Sequence, residues 1–361
     1  MLLDHYVTLG RSGLAVSPFC LGAMTFGKEW GWGCDVKESE AIIDRYLEEG
    51  GNFIDTANIY THGHSEKIIG DHLGRYPARR ERVVIATKFF CNLYPGDPNG
   101  GGTSRKSLVS ACEQSLRRLQ TDYIDLYWMH VWDRFTPIDE TLRALDDLVA
   151  AGKVRYIGFS DTPAWKVAQA QVTAHFRGWA PLIALQIEYS LLERTVEGEL
   201  IPMARELGLG VTPWSPLKGG ILSGKYARAN AGKAQPGRGE RVAAALTERA
   251  RAVIEVLIKV AQDLNTTPAR VALAWVQSRP GVTSTIIGAR TLAQLEDNLS
   301  ALELTLPPEQ VAALDQVSKP SLNFPTEYLI RLETFARGGM TLNGETFPEQ
   351  PLLPASDEQR Y

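Results

Sequence analysis

The segment YIDLYWMH, residues 123–130, is an apolar run of strand length that ends in a histidine. In a strand, its alternation would place Ile124, Leu126, Trp128 and His130 on one face. Helical patterns flank the run on both sides, which predicts a buried parallel strand. A histidine at the carboxyl end, on the face that fills a barrel, stands where barrel enzymes keep their reacting groups. Taken alone, His130 fits equally well as a core histidine that is satisfied by a backbone carbonyl.

Similar apolar runs recur along the chain and alternate with amphipathic helical stretches. The predicted strands span Phe19–Gly22, Asn52–Asp55, Val83–Lys88, Tyr123–His130, Val154–Ser160, Leu182–Gln186, Leu209–Trp214 and Thr283–Ile287. The helices predicted between them include Glu38–Glu49, Glu66–Leu73, Arg105–Leu119, Asp139–Ala151 and Pro163–His175, with Asp35 and Ser65 as N-caps. Because no G-x-G-x-x-G follows the first strand, this α/β pattern favours a closed (β/α)8 TIM barrel over an open dinucleotide-binding sheet.

Three segments depart from the regular alternation. Residues 1–18 form a predicted hairpin, with strands Tyr6–Leu9 and Leu14–Pro18. Between the seventh and eighth strands lie a loop and two extra helices, spanning Lys218–Arg241, Leu246–Leu264 and Pro268–Ser278. The barrel itself occupies residues 19–302, and its last helix, Leu292–Leu302, precedes another helix, Pro308–Val317, and a long tail. Since there is no interdomain linker, residues 1–361 are predicted to be one domain.

The composition bounds the function. With 44% apolar and 22% charged residues among 361, the chain resembles an ordinary globular protein. A net charge of −4 and the lack of a dense basic cluster argue against a nucleic-acid partner. The four cysteines are far apart, which predicts free thiols. There is no signal-peptide pattern and no apolar run of about 18 residues, so a cytoplasmic protein without a membrane partner is expected.

Three further polar residues at predicted strand ends suggest a carbonyl-reducing site together with His130. Asp55 and Tyr60 lie in NFIDTANIY, and Lys88 ends the run VVIATK. A buried ammonium needs a carboxylate partner, which Asp55 on the preceding strand can provide. Tyrosine is a poor acid near neutrality unless its phenolate is stabilised, and Lys88 can do that. Each residue also has a structural explanation, as a buried ion pair or a packing tyrosine.

The chain resembles the aldo-keto reductases, of the branch that includes aryl-alcohol dehydrogenases and potassium-channel β-subunits. The motifs that carry the resemblance are LGAMTFG, GNFIDTANIY, ATK, DLYWMH, IGFS, LQIEYS, PWSPLKGGILSGKY, TPARVALAW and IIGARTLAQLEDN, which extend to about Leu302. The resemblance implies a (β/α)8 barrel that binds NADP(H) without a Rossmann motif and reduces aldehydes or ketones, or oxidises the alcohols. Tyr60 would be the general acid, assisted by Asp55, Lys88 and His130.

The resemblance also implies a set of cofactor contacts. Ser160 and Gln186 would bind the nicotinamide carboxamide, and Trp214 would stack on the ring. The pyrophosphate would lie against Ser215, Pro216, Leu217, Gly219 and Lys225, where glycine permits close approach and lysine supplies charge. The remaining positions, near the strand ends and the adenosine, are Gly22, Ala23, Met24, Asp55, Ile287, Gly288, Ala289, Arg290, Gln294, Asp297 and Asn298.

Two expected cofactor contacts, Asp161 and Arg290, bear on how the cofactor is recognised. Where the family commonly has asparagine after the serine of the fifth strand, this chain has Asp161. A carboxylate can accept a hydrogen bond from the carboxamide NH2 but cannot donate one to its oxygen. Arg290 would pair with a 2'-phosphate, which indicates NADP rather than NAD.

The expected substrate residues are Tyr60, His130 and two loop tryptophans, Trp30 and Trp132, which would offer flat apolar walls or serve as packing residues. His62 and His64 form an H-x-H with no third ligand in register, so no metal site is predicted.

Two other functions remain compatible with parts of this pattern. A nucleotide-binding regulatory subunit similar to the potassium-channel β-subunits would keep the barrel, although those subunits are expected to carry asparagine in place of His130. A Schiff-base aldolase would use Lys88 but would leave Tyr60 and Asp55 without a role. The tail from Ser321 to Tyr361 is predicted to fold over the barrel mouth. Its apolar stripe, which needs burial, comprises Phe324, Tyr328, Leu329, Leu332 and Phe335.

Overall fold

The computed structural model describes residues 1–226, 246–350, 352, 354 and 356–360. Within these residues, eight parallel strands form a nearly closed barrel with alternating helices, as predicted. The strands are β3 Phe19–Gly22, β4 Phe53–Asp55, β5 Val84–Phe89, β6 Ile124–Met129, β7 Val154–Ser160, β8 Leu182–Glu188, β9 Gly210–Trp214 and β10 Thr285–Gly288. The order around the sheet is β10-β3-β4-β5-β6-β7-β8-β9.

The barrel closes just ahead of its last strand. The backbone N–H of Thr283 donates to Val211 O on β9 at 2.8 Å, and Val211 N–H donates to Gly281 O at 3.3 Å. Thr283 was predicted to start the eighth strand. The regular ladder with β3 begins only at Thr285, because the chain first bonds to β9 on the other side.

A two-stranded hairpin, β1 Val7–Thr8 and β2 Ala15–Val16, lies at the amino-terminal end of the barrel. Leu9 and Val16 pack in the barrel-interior cluster with Phe53, Val84 and Ile183. Phe53 and Val84 are the first residues of β4 and β5, and Ile183 is the second residue of β8. The hairpin therefore fills the end of the barrel that faces away from the strand carboxyl ends.

The helices agree with the predicted ones to within a few residues. Their bounds are α1 Val36–Glu48, α2 His64–Ile69, α3 Pro77–Arg80, α4 Arg105–Leu119, α5 Ile138–Ala150, α6 Ala164–Arg177, α7 Leu200–Glu206, α8 Glu248–Asp263, α9 Pro268–Gln277, α10 Leu292–Leu299, α11 Pro308–Ser318 and α12 Thr326–Arg337. A π-helical turn, Gly70–Gly74, continues α2, and a 3-10 turn, Ser300–Glu303, continues α10. Part of the predicted Lys218–Arg241 loop lies outside the described residues.

One of the two predicted helix caps is correct. The Asp35 side chain accepts a hydrogen bond from Glu38 N–H at the start of α1. Ser65 does not cap α2, because that helix begins one residue earlier, after Gly63 in the left-handed conformation. The Ser65 hydroxyl instead donates to Ala23 O at 2.8 Å, which ties α2 to the end of the first barrel strand.

The alternation along β6 orients its side chains as predicted, except at the first residue. Leu126 and Trp128 lie in the barrel-interior cluster. Ile124 lies instead in the larger cluster between strands and helices. Its ladder with β7 is in place, but pairing with β5 starts only at Leu126, so Ile124 is not held in the regular alternation of an inner strand.

The tail does not bury its apolar stripe within the part of the chain that the structure describes. Helix α12 begins at Thr326, so Phe324 precedes it, and α12 has no buried residue. Phe324 is 81% exposed and Leu329 is 56% exposed. The tail meets the barrel at Gly198, in the loop after β8, whose carbonyl accepts from Thr326 Oγ1 at 3.4 Å. Among the described residues, no helix is both long and apolar enough to cross a membrane.

Candidate active site

Four polar side chains meet at the carboxyl ends of neighbouring strands. Asp55 is the last residue of β4, Lys88 lies one residue before the end of β5, and His130 directly follows β6. Tyr60 opens the turn after β4. The Lys88 ammonium contacts Asp55 Oδ2 and donates to Thr56 O at 2.8 Å and to Tyr60 Oη at 3.1 Å. The parallel register of β4 and β5 makes this possible, because it brings the two strand ends side by side.

The Lys88–Asp55 pair is fully enclosed. Their side chains are 0% and 3% exposed. Burial alone would lower the pKa of Lys88, but the Asp55 carboxylate and the Tyr60 hydroxyl outweigh it and raise the pKa above the ordinary lysine value. Lys88 is therefore an ammonium, and its three N–H donors have three acceptors.

Tyr60 is a neutral phenol in this arrangement. Desolvation raises its pKa, and the charge of Lys88 opposes that rise. A phenol that is protonated at rest and lies beside a fixed ammonium can release its proton, since the ammonium stabilises the phenolate that forms.

His130 is held as a neutral imidazole beside Tyr60. Burial and the nearby Lys88 charge lower its pKa to about 3. The Tyr60 and His130 rings meet edge to face with centroids 6.0 Å apart. His130 Nδ1 lies 3.9 Å from the Cys91 thiol, a neighbour that the sequence did not indicate. A neutral imidazole keeps one N–H with which to donate to a carbonyl oxygen.

Trp30 contacts Tyr60 of the four-residue polar cluster, whereas Trp132 contacts a different partner. The Trp30 ring meets the Tyr60 ring edge to face at 6.1 Å between centroids. Trp132 packs against Trp165 at 5.8 Å between centroids. Trp30 therefore lies beside the Tyr60 ring, whereas Trp132 is packed against the first turn of α6 through Trp165.

The turn that follows Tyr60 has an unusual backbone. Thr61, His62 and Gly63 are all left-handed, with φ of 47°, 59° and 91°. A β-branched residue rarely adopts this conformation. The Thr61 hydroxyl donates to Phe26 O at 2.8 Å and accepts from Ser65 N–H at 3.0 Å, which holds the turn in place.

The two loop histidines have protein partners. His64 Nδ1 contacts the Glu29 carboxylate, and His62 meets the Trp30 ring edge to face at 6.4 Å. These contacts join the loop after β3 to the turn after β4. In the described part of the chain, no three His, Cys, Asp or Glu side chains are grouped as metal ligands.

Two residues expected at the nicotinamide carboxamide lie side by side. Ser160 and Gln186 are paired in the register of β7 and β8. The Ser160 hydroxyl is buried, and it has no hydrogen-bond partner among the described residues. Gln186 Nε2 donates to Asp55 Oδ1 at 3.0 Å, so its amide links β8 to the buried Lys88–Asp55 pair. The unsatisfied hydroxyl fits a ligand with a polar group at this point, as a carboxamide would supply.

Trp214 and Asp161 are joined to each other. Trp214 Nε1 donates to Asp161 Oδ1 at 3.0 Å, across the ends of β9 and β7. Desolvation raises the pKa of Asp161 to about 6, with a further contribution from the negative charge of Glu188. Asp161 therefore orients the indole that was expected to stack on the nicotinamide.

The segment after β9 forms a glycine-rich turn. Ser215, Lys218, Gly219 and Gly220 have φ of 55°, 47°, 63° and 92°. A Cβ on Gly220 would stand 3.3 Å from Lys225 Nζ, so the predicted phosphate-binding lysine lies against this turn. Lys218 Nζ, by contrast, pairs with Glu188 at 2.6 Å.

The residues predicted at the adenosine end surround the turn after β10. Gly22 and Gly288 are paired in the β3–β10 register, and Ala289 O accepts from Thr25 Oγ1 at 2.6 Å. Three other predicted cofactor positions lie on or next to β3 and β10. Ala23 and Met24 directly follow β3, and Ile287 is a buried residue of β10.

Side chains predicted to reach the adenosine make contacts within the protein. Gln294 accepts from Arg290 N–H at 2.9 Å, and Asn298 donates to Gly288 O at 3.2 Å. Asp297 forms an ion pair with Arg270 at 2.8 Å. The Arg290 guanidinium has one long contact with Trp32 O, at 3.5 Å.

The sequence profile of the Aldo/keto reductase family matches residues 18–319, most of the chain. The chain belongs to the aldo/keto reductase family. Members of this family are (β/α)8 barrels that act as oxidoreductases on small molecules and generally use NAD(P)H.

Curated relatives of this aldo/keto reductase include members of the predicted branch. An uncharacterized oxidoreductase of Bacillus subtilis (strain 168) is 43% identical over 322 residues, covering 87% of this chain and 95% of the relative. A norsolorinic acid reductase of Aspergillus flavus is 34% identical, with 91% and 85% covered. A probable voltage-gated potassium channel subunit beta of Oryza sativa subsp. japonica is 36% identical, with 88% and 98% covered.

The contacts that the sequence did not reveal in this aldo/keto reductase connect different loops. They are the bonds from Gln186 to Asp55, from Trp214 to Asp161 and from His64 to Glu29. The available signal was that Asp55, Asp161, Gln186 and Trp214 lie at or just after predicted strand ends, whereas Glu29 and His64 lie farther along the loops after the first two strands.

Proposed function

We propose that this aldo/keto reductase is an NADPH-dependent carbonyl reductase, which interconverts aldehydes or ketones and the corresponding alcohols with Tyr60 as the general acid. The observation that carries the proposal is the contact between Tyr60 Oη and Lys88 Nζ at 3.1 Å, with Lys88 paired to Asp55. This is a phenol with a fixed positive charge beside its oxygen, which is the requirement for acid catalysis by tyrosine near neutral pH.

The cluster assigns a separate task to each residue. When bound, the nicotinamide would supply a hydride to the substrate's carbonyl carbon. Tyr60 gives its proton to the oxygen as negative charge develops there. Lys88 stabilises the phenolate left behind, and Asp55 keeps Lys88 charged and directed. His130 donates its remaining N–H to the carbonyl oxygen and so orients it.

We expect residues around the mouth of the barrel to bind the cofactor. Ser160 and Gln186 would bind the carboxamide, and Trp214 would stack on the ring. The glycine-rich turn and Lys225 would bind the pyrophosphate. Arg290 would pair with the 2'-phosphate, because its guanidinium makes only one long contact within the described protein and is available to a phosphate.

The other two candidate functions are less consistent with this site. A Schiff-base lysine must be neutral and accessible, whereas the Lys88 side chain is 0% exposed and fully hydrogen-bonded. A purely regulatory subunit has no need for the contact between a protonated Tyr60 and Lys88, or for a neutral His130 beside them.

The test is a screen of NADPH oxidation over a carbonyl panel, with alcohols and NADP+ in the reverse direction. The names of relatives suggest including aromatic aldehydes and polycyclic aromatic ketones. We expect turnover of some panel members by the wild-type protein and loss of it in Tyr60→Phe. No turnover on any member, together with no binding of NADPH, would refute the proposal.

A further inference from the structure

The Asp161 carboxylate is one hydrogen bond away from the indole assigned to the nicotinamide. It accepts from Trp214 Nε1 at 3.0 Å. Both residues line an open cavity of about 360 Å³ at the carboxyl ends of β7, β8 and β9. Asp161 is exposed and lines this cavity, so a ligand bound there would face it.

Of the three carboxylates that line this cavity, Asp161, Glu188 and Glu193, Glu188 alone is paired with a cation among the described residues. Glu188 pairs with Lys218 at 2.6 Å, and Glu193 accepts from the Thr195 backbone and hydroxyl. Among the residues that the structure describes, Asp161 forms no ion pair, and its side-chain partner is an uncharged indole. Asp161 therefore leaves a net negative charge at this wall.

The backbone at position 161 accepts aspartate and asparagine alike. Asp161 has φ of 42°, in the left-handed region that these two residues tolerate best among non-glycines. Its N–H donates to Gln186 O at 3.2 Å, which fixes the backbone regardless of the side chain. An asparagine oxygen could accept from Trp214 as well. The two residues thus differ here mainly in charge.

The oxidised nicotinamide ring carries one positive charge and the reduced ring carries none. A carboxylate beside the ring therefore stabilises the oxidised form selectively, and the effect grows as the ligand displaces water. We propose that Asp161 makes this site discriminate between the two oxidation states, so that NADP+ binds more tightly relative to NADPH than it would with asparagine at position 161. This inference rests on the proposed function.

A consequence for direction follows by thermodynamic linkage. Preferential stabilisation of bound NADP+ shifts the equilibrium between the two ternary complexes toward the alcohol and the oxidised cofactor. Asp161 would thereby favour carbonyl reduction at the site and slow the release of NADP+.

The preference should depend on pH. Desolvation raises the pKa of Asp161 to about 6, so its charge is present above that pH and lost below it. The charged groups facing Asp161 are Glu188 with its partner Lys218, Glu193 in the loop after β8, and Lys88 on β5. The selectivity for NADP+ should therefore be full at pH 8 and should decline as the pH falls through about 6.

The test is calorimetric titration of the full-length protein with NADP+ and NADPH, comparing wild type, Asp161→Asn and Glu193→Gln. The measured quantity is the Kd for NADPH divided by the Kd for NADP+. We expect Asp161→Asn to lower this ratio about three- to tenfold, the scale of one partly screened charge. Glu193→Gln, which removes a carboxylate from the same cavity without contacting Trp214, should change it less than twofold. The wild-type ratio should fall between pH 8 and pH 5, and that of Asp161→Asn should stay level.

The outcomes separate this inference from the proposed function. If Asp161→Asn binds both nucleotides with the wild-type ratio, the role of Asp161 is wrong and the reductase assignment stands. The specific role of Asp161 would also be wrong if Glu193→Gln lowered the Kd ratio as much as Asp161→Asn does. The ratio would then depend on the total charge of the cavity and not on Asp161. If the wild type binds neither nucleotide and reduces no carbonyl, the proposed function fails along with the inference.

Discussion

Lys88 Nζ lies 3.1 Å from Tyr60 Oη while also contacting Asp55, which places one ammonium between a fixed carboxylate and a neutral phenol. The carboxylate keeps the lysine charged, and the charge favours the phenolate. The three residues come from β4, β5 and the turn after β4, so the barrel framework rather than a flexible loop sets two of the three positions.

Replacing Tyr60 with Phe should remove the proton donor and spare nucleotide binding. The phenyl ring keeps its packing against Trp30 and His130, and only the hydroxyl is lost. Loss of a general acid typically lowers the rate by about 10² to 10⁴. Steady-state kcat on an active substrate and the Kd for NADPH measure the two effects. Near-normal turnover in Tyr60→Phe would show that another group delivers the proton.

Replacing Asp55 with Asn should destabilise the fold as well as slow the reaction. The Lys88 ammonium would keep its burial and lose its counter-charge, a change that costs about 3–5 kcal/mol of unfolding free energy. Urea denaturation measures the loss. The control is Asp71→Asn, which breaks the Lys67–Asp71 pair whose side chains are 58% and 37% exposed, and which should cost less than about 1 kcal/mol. If both variants lost the same unfolding free energy, the buried pair would contribute no more to stability than an exposed ion pair does.

Replacing Arg290 with Ala should weaken NADPH far more than NADH. Only NADPH offers a 2'-phosphate to the guanidinium, and a charge-assisted contact of this kind is worth about 1.5–3 kcal/mol. Fluorescence titration with both nucleotides measures it. Equal weakening of the two would remove the basis for a preference for NADP.

Removing the chain after Lys319 should leave the barrel folded and able to bind NADPH. Helix α12 buries none of its residues, so little apolar contact is lost with it. The tail nevertheless meets the loop after β8 through Thr326 and Gly198, beside the mouth. We therefore expect the truncation to change KM or the ranking of substrates more than the melting temperature. An unfolded product would show that the tail completes the core, and an unchanged substrate profile would separate it from the site.

The sequence predicted the barrel and the Lys88–Asp55 pair because both depend on local patterns. Apolar alternation marks each strand, and neighbouring parallel strands end at the same edge, so polar residues at those ends must meet. Such reasoning could not predict the Trp214–Asp161 bond. It joins the last residue of β9 to the residue just after β7, across the end of β8, and it depends on a left-handed backbone at Asp161.

Two of the structural errors arise because a local pattern was read without its surroundings. Ser65 has the chemistry of a cap, but α2 starts where Gly63 supplies a positive φ. The apolar stripe of the tail has helical spacing, yet periodicity indicates only which residues share a face, and it does not show what covers that face.

The left-handed turn after Tyr60 implies a trade-off between thermal stability and catalytic rate in this protein. Residues held in such conformations cost roughly 1–3 kcal/mol each, and Thr61 and His62 both carry that strain next to the proposed acid. Glycine at position 62 would relax the backbone strain but would also loosen the turn that holds the phenol near the ammonium. Glycine at position 61 would in addition remove the hydroxyl that bonds Phe26 O and Ser65 N–H. Substitutions chosen at this turn only for thermal stability are therefore expected to lower kcat. Residues 61 and 62 should be kept when the protein is stabilised.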